Sequence, residues 1–385
     1  MTTPRRRTPG SSLLLRSEGM RQFFQNHKKM HIWLLSELAL LAAFWCLRGN
    51  RALMNALEGH VTGPFRLAVG RLCYAVPFSV MEVLCVLLVL GVGIYLLWSA
   101  FSVYRARGRR GSRLWSALLG LLNGGLAIYL GFCLLWGVNY YIDSFQERSG
   151  IYARPMELAE LRALTADFAR WAARAGDQVP RNEEGLLDVP REEILAGSRH
   201  VYDQVEEEFP FLALEDPGVK PVHFSHLMSA LDFTGVYCPF TGESNVNMEA
   251  PLCMMPATAA HELGHQRGIA SEQECNFLAI LASTTSGDPV FCYSGYLMGY
   301  IYLSNALYRV DRDSWREIRD GLPETIRADL SAQRSYWAQF EQSVTQKVSN
   351  SVYDGFLKGY GEAQGIRSYG TVVDLLATYY GNKEQ

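Results

Sequence analysis

The chain has 385 residues, 36 basic and 39 acidic, for a formal net charge of −3, and 49% of its residues are hydrophobic. That balance conceals two unlike parts: residues 1–142 carry 16 basic and 4 acidic side chains, a net of +12, whereas residues 143–385 carry 20 basic and 35 acidic, a net of −15. The acidic part is long enough to bury a complete core, and its charge speaks against nucleic acid as a partner.

The first elements are apolar. Residues 32–47 form a short stretch carrying Glu37, residues 78–101 are long enough to cross a bilayer with only Glu82 charged, and residues 114–138 are uncharged, with Asn123 the most polar. All three read as membrane spans. A signal peptide within residues 1–50 is the alternative for the first, but it would lie far from the terminus and lacks a small-residue cleavage site after Trp45. Arg5, Arg6, Arg7, Arg16, Arg21, Lys28 and Lys29 precede the first span, and Arg105, Arg107, Arg109, Arg110 and Arg113 fill the loop between the second and third. The positive-inside bias makes both segments cytoplasmic, although Arg48, Arg51, Arg66 and Arg71 in the first loop weaken it. The expected domains are a basic cytoplasmic terminus (1–30), a transmembrane region (31–142) and an extracytoplasmic domain (143–385).

After the spans, Leu158, Leu161, Leu164, Phe168 and Trp171 recur at helical spacing, and Ile194, Val201, Val205 and Phe209 suggest a second helix. Residues 220–246 change to short β-like pieces with turns, which offer an edge that could pair with an extended peptide or simply cover the core. His223 and His226 stand near the start of this region as structural residues. Helical periodicity resumes at Pro256 and continues across residues 293–308, 323–348 and 371–380. The fold class is mostly α with a small β-sheet (α+β), following a bundle of three transmembrane helices.

The segment starting at Pro256 carries His261-Glu262-x-x-His265. On a helix the two imidazoles lie one turn apart on one face and can reach one metal ion, while Glu262 stands where it can take a proton from a metal-bound water. Random placement of 8 His and 25 Glu in this chain gives the pattern about 0.01 times. Pro256 suits the first helical turn and Gly268 a helix stop. Ser271-Glu272-Gln273-Glu274 then reads as a capping box opening a return helix through Cys275, Phe277, Leu278 and Leu281.

A catalytic zinc ion takes three protein ligands and keeps a position for water. Glu272 and Glu274 compete for the third place. Glu272 points back towards the histidines, with Asn276 one turn on to orient one of them, whereas Glu274 is explained by the cap. The expected zinc ligands are therefore His261, His265 and Glu272, with Glu262 as general base. Tyr237, Arg267, Tyr293, Tyr296, Tyr360 and Tyr369 qualify by type as transition-state donors and are not ranked by sequence. The eight cysteines show no zinc-binding spacing; Cys238 with Cys253 is the first disulfide to test, against simple burial.

From His261 to Ala279 the chain resembles an uncharacterised bacterial family of multi-pass membrane proteins in the zincin group of peptidases, gluzincin type, whose members read His-Glu-Leu-x-His-Gln-x-Gly followed by Glu-x-Glu-Ala-Asn-Phe. The similarity extends to Pro239-Phe-Thr-Gly-Glu-Ser-Asn-Val-Asn247, to Tyr293-Ser-Gly-Tyr296 and to Ser349-Asn-Ser-Val-Tyr353. Cys275 stands in place of the usual Ala. The resemblance implies a zincin-like fold and marks His261, Glu262, His265 and the Glu272/Glu274 pair; the likeness of this segment to the Glu-x-x-Ala-Asp of other membrane zinc peptidases supports Glu272. The expected function is a membrane-anchored zinc metallopeptidase acting on peptides or proteins of the cell envelope, with the lipid bilayer as its other partner. The alternative is a catalytically silent zincin-fold membrane sensor or envelope assembly factor.

Overall fold

The computed structural model describes residues 23, 25–215, 217–341, 346–347, 349–351, 354–355 and 370–381. They are mostly helical, with one three-stranded sheet, and divide into two compact units: residues 1–49 with 84–134, and residues 50–83 with 135–385. The second unit thus includes residues 50–83, part of the stretch expected from sequence as the transmembrane region 31–142.

Among the described residues, three helices are long and apolar enough to cross a membrane: Lys28–Leu47, Val80–Arg105 and Arg110–Leu135. Their side chains are mainly aliphatic and exposed, as lipid-facing helices require. Within the first unit, several polar groups bond between helices, although Glu37 Oε2, Ser99 Oγ and Asn123 Oδ1 are buried without a hydrogen-bond partner among the described residues. His27 Nε2 lies 2.9 Å from Ser116 Oγ, and Asn123 Nδ2 donates to the Met30 carbonyl at 3.2 Å. Tyr95 donates to the Ala117 carbonyl at 3.1 Å, a contact open because residue 120 is glycine.

The second unit is organised around the helix Glu272–Thr285. Its residues 277–282 have no exposed surface, so it is apolar on every side, as a helix enclosed by others must be. Met255–Gln266 packs against it through small residues: a Cβ at Gly264 would meet Cys275 Sγ at 3.3 Å. Pro289–Val310 lies on Leu158–Gly176, with Gly299 under the Phe168 ring. Gly370–Gly381 buries Val372, Leu375 and Leu376 in the same core. The single helix expected through Ile194 and Phe209 is instead Arg191–Gly197, a 3-10 turn Ser198–His200 and Asp203–Glu208, which still bury Ile194, Val201, Val205 and Phe209 in the core. The helix expected over 323–348 is seen as Glu324–Ala338; Val348 lies outside the described residues.

The sheet contains β1 (Lys220–Val222), β2 (Gly235–Cys238) and β3 (Glu243–Asn247) in the order β1-β3-β2, with β1 parallel and β2 antiparallel to β3. All five residues of β3 are buried although four are polar, and each polar side chain has a partner. Glu243 accepts from Lys220 Nζ at 2.6 Å and from the backbone N–H groups of Val80 and Met81. Ser244 Oγ donates to the Glu262 carbonyl at 2.9 Å, Asn245 Nδ2 to the Glu243 carbonyl at 3.1 Å, and Asn247 Nδ2 to Ser229 Oγ at 2.7 Å. The central strand thereby ties the sheet both to the motif helix and to the start of the span at Val80.

The eight cysteines are not bridged; Cys238 and Cys253 are both buried, so the disulfide singled out for testing is absent.

Candidate metal centre

The motif helix runs Met255–Gln266, with Pro256 in its first turn, and ends before Gly268, whose φ of 85° makes the turn into Glu272–Thr285. This turn carries Glu272 back over the two histidines. Glu272 Oε2 lies 3.2 Å from His261 Nε2, and its Oε1 lies 3.4 Å from His265 Nε2. One ligand-type atom from each of the three residues falls within 4.8 Å of the others, which is a group able to hold a metal ion. Two nitrogens and one carboxylate oxygen are a donor set suited to a divalent transition metal. His265 is buried while His261 and Glu272 are half-buried, so the group is open on one side.

His265 Nδ1 donates to the Ile269 carbonyl at 2.8 Å, which fixes the tautomer and leaves Nε2 facing the group. The backbone of the turn, not the Asn276 amide, supplies this support. The Cys275 thiol also meets the Ile269 carbonyl, at 3.3 Å, and burial pushes its pKa up to about 11. The Trp136 ring packs edge-on to His265 with centroids 5.8 Å apart, and Tyr237 lies on Trp136 at 5.1 Å. Burial opposes ionisation of Glu272, but His265 and His261 outweigh it and hold the carboxyl well below the usual range.

Glu262 belongs to the same helix yet stands apart from the triad, against β2. A Cβ at Gly235 would be 2.5 Å from its Oε1, so only glycine leaves room there. The register gives the reason: Asn247 N–H bonds to the Thr234 carbonyl, so residues 236 and 238 face β3 while Gly235 and Tyr237 turn their backbone groups to the open edge. The Tyr237 N–H reaches the Glu262 carboxylate there. Burial raises the Glu262 pKa, against the lowering effect of both histidines and of this N–H.

Glu274 corrects the sequence reading. Ser271 occupies the N-cap position but makes no side-chain cap, and Glu274 does not return to it. The Glu274 carboxylate accepts the backbone N–H groups of Phe145 at 2.9 Å and Gln146 at 3.2 Å, capping a helix remote in sequence. A buried carboxylate in an apolar core needs donors, and the exposed backbone of that helix start supplies them.

Residues 50–83 support the turn from below. Arg66 donates to Glu58 Oε1 at 2.6 Å, to the Leu135 carbonyl at 2.7 Å and to Asn139 Oδ1 at 3.0 Å, and Asn139 Nδ2 donates to the Gly268 carbonyl at 2.8 Å. A side chain on Gly268 would collide with this network, its Cβ standing 3.0 Å from Asn139 Nδ2. Nothing in local sequence pattern links these residues, which lie 8, 69, 73 and 129 positions apart.

Among the transition-state candidates, Tyr237 meets the site through its backbone N–H, which reaches Glu262, while its ring packs on Trp136 and its buried phenol pairs with Arg66. Arg267 pairs with Glu206 at 2.6 Å, Tyr293 donates to Asp329 at 2.6 Å, and Tyr296 packs on Phe168 and Trp171, so these three belong to the core. Tyr360 and Tyr369 lie outside the described residues. His226 pairs with exposed Glu249, and His223 is exposed; neither joins the triad.

Residues 64–377 match the model of a family described as a protein of unknown function (DUF3810). The chain belongs to that family. Comparison with curated proteins and with solved structures gives no match.

Proposed function

We propose that the protein is a membrane-anchored zinc metallopeptidase with a zincin-like catalytic domain. The observation that carries this reading is the separation of roles on one helix: His261 and His265 converge with Glu272, while Glu262 is held beside the group by Gly235 and Tyr237 without joining it. A structural metal site has no need of such a carboxylate. His261, His265 and Glu272 would hold the zinc, which when bound would supply Lewis-acid chemistry, polarising a carbonyl and making water more acidic. Glu262 takes the proton and passes it to the leaving amine, and its raised pKa suits a group that must both accept and release one. The open edge of β2 alongside Glu262 suits an extended peptide backbone. Tyr237, whose ring packs on the Trp136 that also meets His265, could face the developing oxyanion only by releasing Arg66.

The three apolar helices support a multi-pass membrane protein. Residues 50–83 and 135–381 share one compact unit, which favours one side of the bilayer for both, and the arginines at 105–113 favour the other side as cytoplasmic. The metal centre is accordingly extracytoplasmic.

Purified full-length protein is expected to contain one zinc per chain and to cleave a mixed peptide library, with cleavage stopped by a chelator and restored by zinc. Metal binding without turnover on any peptide would remove the peptidase reading.

A further inference from the structure

The helix Gly63–Cys73 is amphipathic in the reverse sense of a surface helix. Its buried residues are Arg66 and Gly70. Arg66 fastens it to Glu58 and Asn139, and Gly70 lies so close to the β2–β3 turn that a Cβ there would stand 3.3 Å from the Gly242 carbonyl oxygen. The face left outside is apolar. Phe65 and Leu72 are 54% and 76% exposed, Val61 before them 56% and Phe78 after them 53%, and of the exposed residues from 61 to 78 only Arg71 is charged.

Two more exposed apolar side chains, Phe224 and Leu227, are tied to the start of the helix Val80–Arg105, with His223 and His226 exposed between and beside them. Glu82, in the first turn of Val80–Arg105, accepts the backbone N–H groups of His223 and Phe224 at 2.8 Å each, and Phe224 and Leu227 are 50% and 56% exposed. Lys220 Nζ donates to the Phe78 carbonyl at 2.9 Å and pairs with Glu243, fixing Phe78 beside the same strand. Apolar surface concentrated in this way marks an interaction site. Continuity identifies what covers it: the face runs from Phe78 directly into a helix long and apolar enough to cross a bilayer. The same solvent that covers that helix reaches its neighbours.

We propose that Val61, Phe65, Leu72, Phe78, Phe224 and Leu227 form a lipid-contacting face, with Gly63–Cys73 lying in the bilayer interface and seating the metal-carrying unit on the membrane. Arg66 and Asn139 connect this helix to the Gly268 turn, so the lipid-seated helix and the metal turn move as one piece. The lipid contact stands without the peptidase reading; on that reading, the substrates are chains presented at the membrane surface.

The test uses the full chain in phosphatidylcholine nanodiscs whose acyl chains are either plain or brominated. Phe65→Trp and Leu72→Trp each add one indole, read as the difference from the parent chain, and Asp313→Trp on the exposed helix Arg312–Asp320 supplies a reference. A monodisperse elution profile establishes that each variant is folded, independently of metal or cleavage, and either of the two positions is sufficient. The added emission at 65 or 72 is expected to be blue-shifted and to lose its larger part in brominated lipid, while aqueous acrylamide leaves it nearly unchanged. Quenching by acrylamide and not by bromine would put the face in water. Protection from both would mean that another protein covers it, and either result overturns the proposal.

Discussion

Gly235 and Glu262 are in contact: the absence of a side chain at 235 is what allows the Glu262 carboxylate to lie against β2, since a Cβ would stand 2.5 Å from Oε1 and 2.6 Å from Cγ. The obstructed atoms belong to the Glu262 side chain and not to backbone, so Gly235→Ala is expected to displace the carboxylate, with a monodisperse elution profile checking that the fold is kept. Zinc stoichiometry is expected to remain that of the parent, while peptide cleavage falls about 100-fold, the scale of a lost general base. An unchanged rate would mean that the position of Glu262 against β2 is irrelevant to the chemistry.

The two carboxylates of the return helix are separable by metal content. Glu272→Ala removes the group that touches both histidines and is expected to abolish tight zinc binding. Glu274→Gln is expected to keep it, because that side chain faces Phe145 and Gln146. Zinc measured per folded chain decides between them; loss in the Glu274 variant with retention in the Glu272 variant would reverse the ligand assignment.

Glu274 also has a signature in stability. Glu274→Ala leaves the Phe145 and Gln146 N–H groups without their acceptor and is expected to cost about 2 kcal/mol, with Glu274→Gln costing less because it keeps an acceptor oxygen. Burial raises the Glu274 pKa in the fold, outweighing the N–H groups of Phe145 and Gln146. Protonation of this group therefore favours folding: its contribution is full below the unfolded value of about 4.3 and is lost as pH rises through the folded value. Thermal unfolding across this range should show a smaller loss with rising pH in Glu274→Gln than in the parent chain.

The sequence was legible where the chemistry is local. Pro256, the His261/His265 spacing and Gly268 specify a helix, the face that carries the two histidines and its end within a dozen residues, and Glu272 follows from the direction of the return. The three long apolar helices were legible for the same reason, as continuous apolar runs. What escaped depends on partners distant along the chain. A Ser-x-x-Glu pattern reads as a cap unless a stronger claim intervenes, and for Glu274 that claim comes from backbone N–H groups about 130 residues earlier. The loop between the first two spans looked like a connector, since Arg66 gives no sign that it joins Glu58 to Asn139 beneath Gly268. Gly235 could have been suspected only as a glycine inside a strand, where a close approach is the usual cause.

Asn139 tests that support from below. Asn139→Ala removes the donor to the Gly268 carbonyl and a partner of Arg66 without touching a ligand. Zinc affinity, measured by competition with a chromophoric chelator, is expected to fall about 10-fold, as for other groups that hold ligands in place. An affinity equal to the parent's would show that the turn holds its shape without residues 50–83.

Glu262→Gln, compared with the parent as full-length protein, tests the catalytic role of the motif most directly. The amide preserves the shape of the side chain and removes its capacity to take a proton, while His261, His265 and Glu272 are unaltered. The expected result is a full complement of zinc with peptide cleavage reduced by at least about 100-fold. Full cleavage activity with zinc retained would contradict the assignment of Glu262 as the base and with it the proposed mechanism.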